Sequence, residues 1–169
     1  MGIGACLFDP ANEVTEFFGA QAGDALVGIW ADRRDQQVIA QAELVPTLVA
    51  LSTWGQHVRG RPVVVYIDND SARYGLISGY SPVLASASLI STIWGLLAQL
   101  RAAAWFARVP TVCNPADGPS RGRFDEMNKV KGARLVSPSF LGARGPTMWS
   151  AIARRLGSEV PTAARAMST

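Results

Sequence analysis

Residues 61–68 read RPVVVYID, and this segment predicts the strand that sets the fold class. Five apolar residues run from Val63 to Ile67 without the polar alternation of a half-exposed strand. Such a run is typical of a strand covered on both faces in a sheet with helices around it. The strand ends at a carboxylate, Asp68. We therefore expect an α/β protein with this strand inside its sheet.

A helix is predicted before this strand. Residues 37–54 carry apolar side chains at helical spacing. Pro46 lacks the N–H that later helical turns need, so it predicts that the helix begins only a few residues earlier. Glu43 is then expected at the helix entrance. Residues 22–37 are less periodic and predict an irregular connection.

The remaining elements alternate between strands and helices. Residues 2–8 and 14–21 flank a loop of Asp, Pro and Asn and predict an antiparallel hairpin. Residues 70–79 predict a short helix ended by glycine, residues 82–101 a long helix apolar over a wide arc, and residues 102–110 a strand. This order favours a mixed sheet flanked by helices, with the later strands parallel through helical crossovers.

Charge divides the chain into two parts. Residues 1–118 contain 7 Lys and Arg against 10 Asp and Glu, a net charge of −3, whereas residues 119–169 contain 9 against 3, a net charge of +6. Basic tails often bind phosphate backbones, although many only aid solubility. We expect a domain over residues 1–122 and a basic tail over residues 123–169.

The tail contains one segment with helical periodicity. Residues 146–157 place Trp149, Ile152 and Leu156 on one side and Arg154 and Arg155 on the other. Such an amphipathic helix typically packs on its own domain, and binding to nucleic acid is the less common alternative.

Composition limits the class of protein. A chain of 169 residues with 49% hydrophobic and 17% charged residues can build a core, which excludes a disordered protein. Cys6 and Cys113 lack the spacing of a metal or disulfide site and suit a reducing intracellular compartment, cytoplasm or nucleus. The sequence has neither an apolar run of about 20 residues nor a signal-peptide pattern, so no membrane partner is expected.

Three carboxylates follow or precede neighbouring elements of the predicted sheet. Glu43 lies at a helix entrance, Asp68 ends a strand, and Asp117 follows the next strand. If they converge, their mutual repulsion calls for cations, and hard oxygen ligands suit Mg²⁺ or Mn²⁺. Two such ions about 4 Å apart can promote hydrolysis of a phosphodiester. Each acid also has a structural interpretation as a helix-start acid, a turn residue or a cap, and Asp70 competes for the role of Asp68.

Three segments resemble the later blocks of retroelement ribonuclease H domains: QAELVPTLVAL (41–51), VVVYIDNDSARYGLISG (63–79) and WFARVPTVCNPADGPSRG (105–122). The hairpin of residues 2–21 resembles the second and third strands of that fold. The resemblance implies a ribonuclease H-like mixed sheet flanked by helices. It also implies that Glu43, Asp68 and Asp117 are the catalytic carboxylates and ligands of two Mg²⁺ or Mn²⁺ ions. Substrate contacts are expected from Arg73, Asn114 and Arg121.

The chain departs from that family at its beginning. The family has a fourth carboxylate, an Asp in a first strand that precedes the segment GIGACLF, whereas this sequence starts at Met1-Gly2. Asp9 does not replace it, because it lies beyond the strand that GIGACLF predicts. We therefore expect an N-terminally truncated domain without its first strand. It is either a fragment of a polyprotein with a preceding reverse transcriptase or a truncated relic.

Three functions are compatible with these residues. The first is a metal-dependent endonuclease that hydrolyses RNA in RNA–DNA hybrids for a reverse-transcribing element, with this chain alone weakly active or inactive. The second is a catalytically dead scaffold that binds nucleic acid or tethers a polymerase. The third is a DNA nuclease or integrase-like protein on the same fold, since fold does not fix function.

Overall fold

A computed structural model describes residues 1–23 and 38–158. Most of the predicted irregular connection, residues 24–37, therefore lies outside the described residues. The strands are β1 (Gly2–Asp9), β2 (Val14–Gln21), β3 (Pro62–Ile67), β4 (Ala103–Arg108), β5 (Ala133–Leu135), β6 (Ser139–Phe140) and β7 (Ala143–Arg144). The helices are α1 (Val38–Thr53), α2 (Gly55–Val58), α3 (Asp70–Ser78), α4 (Leu84–Leu100), α5 (Asp117–Ser120), α6 (Asp125–Asn128) and α7 (Gly145–Ser158).

The predicted N-terminal hairpin is confirmed. Strands β1 and β2 pair antiparallel, with Gly2 opposite Gln21 and Asp9 opposite Val14. A short 3-10 turn over Pro10–Asn12 joins them, and Glu13 closes it in the left-handed region at φ 52°. Strand β5 adds to β2 in parallel, so this three-stranded sheet is mixed.

The parallel arrangement of the later strands is also confirmed. Strands β3 and β4 pair in parallel, with Val64 aligned to Trp105 and Tyr66 to Ala107. Helices α3 and α4 form the crossover between them. Gly79 ends α3 at φ 67°, as its position in the sequence predicts.

The prediction that residues 63–67 form a strand covered on both faces is wrong. Ile67 is buried, but Val64 and Tyr66 are exposed. The helices of the described structure cover one face of β3 and β4, and the side chains that alternate to the opposite face remain uncovered. An apolar run alone does not reveal this, because its periodicity is the same whether one face or two are covered.

Glu43 does not lie at a helix entrance, which is a second correction. Helix α1 begins at Val38, so Glu43 lies in its second turn and Pro46 lies inside the helix. Proline removes one helical hydrogen bond. The helix continues through that position because Leu44, Val45 and Leu48 are buried in the core on either side of it.

One hydrophobic core contains side chains from both the beginning and the end of the described chain. It combines β1 and β2 residues such as Ile3 and Phe18 with buried side chains of α1 and α4. Helix α4 also contacts the sheet of β3 and β4, since the rings of Trp94 and Phe106 meet edge to face at 5.7 Å. The predicted tail helix is present as α7, and its apolar side packs into this core through Trp149, Ile152 and Leu156.

The β-structure is divided where a single sheet was expected. Strands β1, β2 and β5 form one sheet and β3 and β4 another, with no backbone pairing between β1 and β3 in the described residues. At one end the two sheets are linked by Arg61, whose guanidinium donates to both carboxylate oxygens of Asp9 at 2.6 and 2.9 Å. This ion pair brings the end of β1 next to the residue that precedes β3.

No helix in the described ranges has both the length and the apolar character required to cross a membrane.

Candidate functional site

Two of the predicted carboxylates lie close together at the carboxyl end of β3. Asp68 directly follows this strand, and Glu43 on α1 lies within range of its charge. Burial, followed by the negative charge of Asp68, raises the pKa of Glu43 above its ordinary value. Open α/β sheets place their ligand sites at the carboxyl ends of strands. The pair is therefore a candidate site by both position and electrostatics.

Asn114 connects this pair to the segment that carries Asp117. Its side-chain Nδ2 donates to Asp68 Oδ2 at 2.9 Å, and its Oδ1 accepts from the backbone N–H of Ala116 at 3.0 Å. Its backbone carbonyl accepts from the N–H of Asp117 at 3.2 Å. In this structure Asn114 therefore fixes the position of Asp68 relative to the next loop, and its contact with substrate stays a prediction.

Asp117 lies at the start of α5 and is engaged by two arginines. Arg121 donates to its Oδ1 through Nε at 3.1 Å and through Nη2 at 2.8 Å. The Nη2 of Arg123 lies 3.6 Å from Oδ2. Both guanidinium groups are largely exposed to solvent. Asp117 is therefore neutralised by arginine, whereas Glu43 faces another carboxylate.

Three glycines allow the Asp117 segment to pack closely on the hairpin. The sequence patterns did not predict this role. A Cβ at Gly4 would lie 2.4 Å from the backbone nitrogen of Ser120, and one at Gly2 would lie 1.9 Å from the Ser120 carbonyl oxygen. A Cβ at Gly19 would lie 2.1 Å from the carbonyl oxygen of Pro119. Helix α5 thus lies directly on the backbone of β1 and β2. The alternating glycines Gly2 and Gly4 in the sequence GIG were the signal that could have revealed this close contact.

Asp70, the alternative to Asp68, forms ion pairs with two arginines. Its Oδ1 accepts from Arg73 Nη2 at 3.2 Å and pairs with Arg108 Nε at 3.2 Å. The guanidinium of Arg73, predicted to contact substrate, also lies 4.5 Å from the centre of the Tyr74 ring. In this structure, Asp70 and Arg73 thus pair with each other on α3, where the Arg73 side chain is only 17% exposed.

The donor chemistry of the Glu43–Asp68 pair fits a hard divalent cation. Carboxylate oxygens are the ligands that Mg²⁺ and Mn²⁺ prefer, and a cation would offset the burial and the repulsion that together raise the pKa of Glu43. Across residues 1–23 and 38–158, however, no group of three or more His, Cys, Asp or Glu side chains is placed to hold a metal ion. The convergence of Asp117 with the pair stays a prediction.

Searches against protein-family models, curated proteins and solved structures gave no match to this chain.

Proposed function

We propose that this protein is a ribonuclease H-like domain that hydrolyses RNA in RNA–DNA hybrids with the help of divalent metal ions. The observation that carries the proposal is the Glu43–Asp68 pair at the carboxyl end of β3, linked through Asn114 to the loop of Asp117. The resemblance of these segments to retroelement ribonuclease H domains supplies the reaction class. A reverse transcriptase preceding the domain in one polyprotein is the proposed partner, and its action would be intracellular, in the cytoplasm or nucleus.

The residues have distinct roles in this proposal. Glu43, Asp68 and Asp117 would hold two Mg²⁺ or Mn²⁺ ions. When bound, such ions supply an activated water and stabilise the leaving oxygen of the phosphodiester. Arg121 would exchange its ion pair with Asp117 for a substrate phosphate, which frees the carboxylate at the moment the nucleic acid arrives. Arg73 would contact the backbone from α3, and RNA would be distinguished by its 2′-hydroxyls.

The divided sheet supports one further element of the proposal. The resemblance implies an additional strand with a fourth carboxylate, neighbouring the strand that GIGACLF predicts. Within the described residues β1 pairs only with β2 and β3 only with β4, and the Asp9–Arg61 pair brings the end of β1 next to the start of β3. A strand between them would place its own acidic residue near Asp68. We propose that the active form contains this strand.

Cleavage of a labelled RNA–DNA hybrid tests the proposal. The 169-residue chain and a version extended upstream are compared with Mg²⁺ and with Mn²⁺. We expect the extended chain to cut, Asp68→Asn to abolish cutting, and the exposed-site control Asp125→Asn to leave it unchanged. Equal rates for the extended chain and its Asp68→Asn variant would reject the site. Strong cleavage by residues 1–169 would reject the requirement for a further strand.

A catalytically dead scaffold is the second candidate. The engagement of Asp117 by Arg121 and Arg123, together with the lack of a three-residue metal site in the described ranges, favours it. Hybrid binding without cleavage in both the short and the extended chain would select this function over the nuclease.

A further inference from the structure

The uncovered face of the β3–β4 sheet is formed by aromatic and aliphatic side chains. Val64, Tyr66 and Trp105 expose 51%, 65% and 72% of their surface. The parallel register aligns Val64 with Trp105, so Tyr66 lies one step further along the same face. From the spacing of paired strands and the rise per residue, the Cα atoms of Tyr66 and Trp105 are about 8 Å apart. The face thus presents two rings side by side.

This face ends at the candidate site. Asp68 follows Tyr66 by two residues and comes directly after β3, so the strand runs from the exposed rings towards the candidate site. A ligand lying on Tyr66 and Trp105 would therefore extend towards the Glu43–Asp68 pair.

The charge at the start of the two strands suits a polyanion. Arg61 precedes β3 and Arg101 precedes β4, whereas at the opposite end Arg108 lies beside the acidic residues Asp68 and Asp70. Arg61 and Arg108 are each engaged by one carboxylate, whereas Arg101 is exposed and forms no ion pair within the described residues. Arginines beside exposed rings provide the phosphate and base contacts that single strands use.

The size of the face argues against a second copy of the chain as its occupant. The exposed fractions of the three side chains correspond to roughly 400 Å² of surface. A stable protein interface needs about 800 Å² from each partner. Base stacking requires only one ring for each base, and sheets with exposed aromatics on neighbouring strands bind two or three unpaired bases in this way.

We propose that Tyr66 and Trp105 form a stacking surface for unpaired nucleotides beside the candidate site. The bases would stack on the two rings, and Arg101 would contact the phosphate backbone. This inference deepens the proposed function by naming the single-stranded part of its substrate. Stacking requires no metal ion, so binding can be measured without cleavage. A failed binding test would therefore reject the stacking surface without rejecting the nuclease, and a failed cleavage test would do the reverse.

Fluorescence anisotropy of a labelled 12-nucleotide single strand, measured in EDTA, tests the proposal. Tyr66→Ala and Trp105→Ala should each weaken binding about tenfold, and Trp105→Phe should restore most of it. Tyr80→Ala is the matched control, because Tyr80 is a tyrosine of similar exposure (66%) on the loop before α4. Its dissociation constant should equal that of the wild type.

Salt dependence and sedimentation complete the test. Trp105→Ala should leave the slope of affinity against salt unchanged, whereas Arg101→Gln should reduce it, because only the arginine neutralises a phosphate. Equal affinities of the Tyr66→Ala, Trp105→Ala and Tyr80→Ala variants would overturn the proposal. Self-association of the wild type that Trp105→Ala abolishes would also overturn it, since the face would then belong to a dimer. Trp105→Phe keeps the test decisive if the alanine variant does not fold.

Discussion

Glu43 illustrates how burial and a neighbouring charge together change the chemistry of a side chain. Glu43 and Asp68 are both only partly exposed acids, and the charge of Asp68 adds to burial in raising the pKa of Glu43. Because the folded protein holds the Glu43 proton more tightly than the unfolded chain, the ionised side chain opposes folding. Its destabilising effect appears as the pH rises above the unfolded pKa of about 4.5.

Glu43→Gln should therefore raise the melting temperature at pH 7, by about 2 °C. The gain should shrink as the pH falls towards 4, because wild-type Glu43 is then neutral as well. Calorimetry at several pH values measures this, with Glu13→Gln, an exposed residue of the hairpin turn, as the control. A gain that is the same at pH 4 and pH 7 would contradict the assigned cause.

The hydrogen bond from Asn114 to Asp68 should stabilise the folded protein. Asn114→Ala removes the hydrogen bond to Asp68 Oδ2 and should lower the free energy of unfolding by about 1.5 kcal/mol. Asn114→Asp should cost more at pH 7, because it puts a second negative charge beside Asp68. The gap between the two variants should close below about pH 4. Urea titrations at both pH values test this, and an Asn114→Asp variant as stable as the wild type at pH 7 would disprove it.

The contact of helix α5 with the hairpin depends on the absence of a side chain. The Ser120 backbone nitrogen would lie 2.4 Å from a Cβ at Gly4, and no flexible side-chain atom is there to move away. The position of Asp117 is thus determined partly by residues more than a hundred positions away.

Gly4→Ala should destabilise the protein by about 2 kcal/mol, because either the hairpin or α5 must shift. Gly95→Ala is the opposite case: it lies in α4 with open space around it, and should stabilise by about 0.5–1 kcal/mol through helix propensity. Urea unfolding compares the two. Equal and small effects would mean that α5 does not rest on the hairpin.

Sequence patterns predicted most elements because their signals are local. The hairpin follows from the Asp-Pro-Asn loop, and the end of α3 from Gly79. The start of α1 was missed because the burial of Leu44 and Leu48 outweighs the local effect of Pro46. The interaction of Glu43 with Asp68 was predictable from the strand end, and the Asp117–Arg121 pair has the i,i+4 spacing of a helix. The contact of Arg123 with Asp117 was not predictable, because it depends on the geometry of the chain beyond α5.

Among the described residues, the helical layer and the Asp9–Arg61 ion pair link the two sheets. The hydrogen bonds from Arg61, and secondarily from Asn12, keep the pKa of Asp9 well below its ordinary value of about 3.8. Because the folded-state pKa is lowered, the pair stabilises the protein fully above the unfolded pKa, and this contribution is lost as the pH falls below it.

Arg61→Ala should therefore lower the urea midpoint at pH 7 and at pH 5 alike, with the loss diminishing only below about pH 3.8. Lys129→Ala breaks an ion pair whose two side chains are mostly exposed, and should change the midpoint little. If both variants behave alike, the Asp9–Arg61 contact does not join the sheets.

The interruption between β1 and β3 also determines how the backbone exchanges deuterium with solvent. In a strand with one neighbour, only every second backbone amide is bonded to that neighbour. In β1 and β3 these bonded amides, the inward set, should be protected from exchange, whereas the amides that point away from the neighbour, the outward set, should exchange quickly. A polypeptide that enters between these strands would slow the outward set alone. The ratio of the outward to the inward exchange rate within one strand therefore reports whether another strand has bound between β1 and β3.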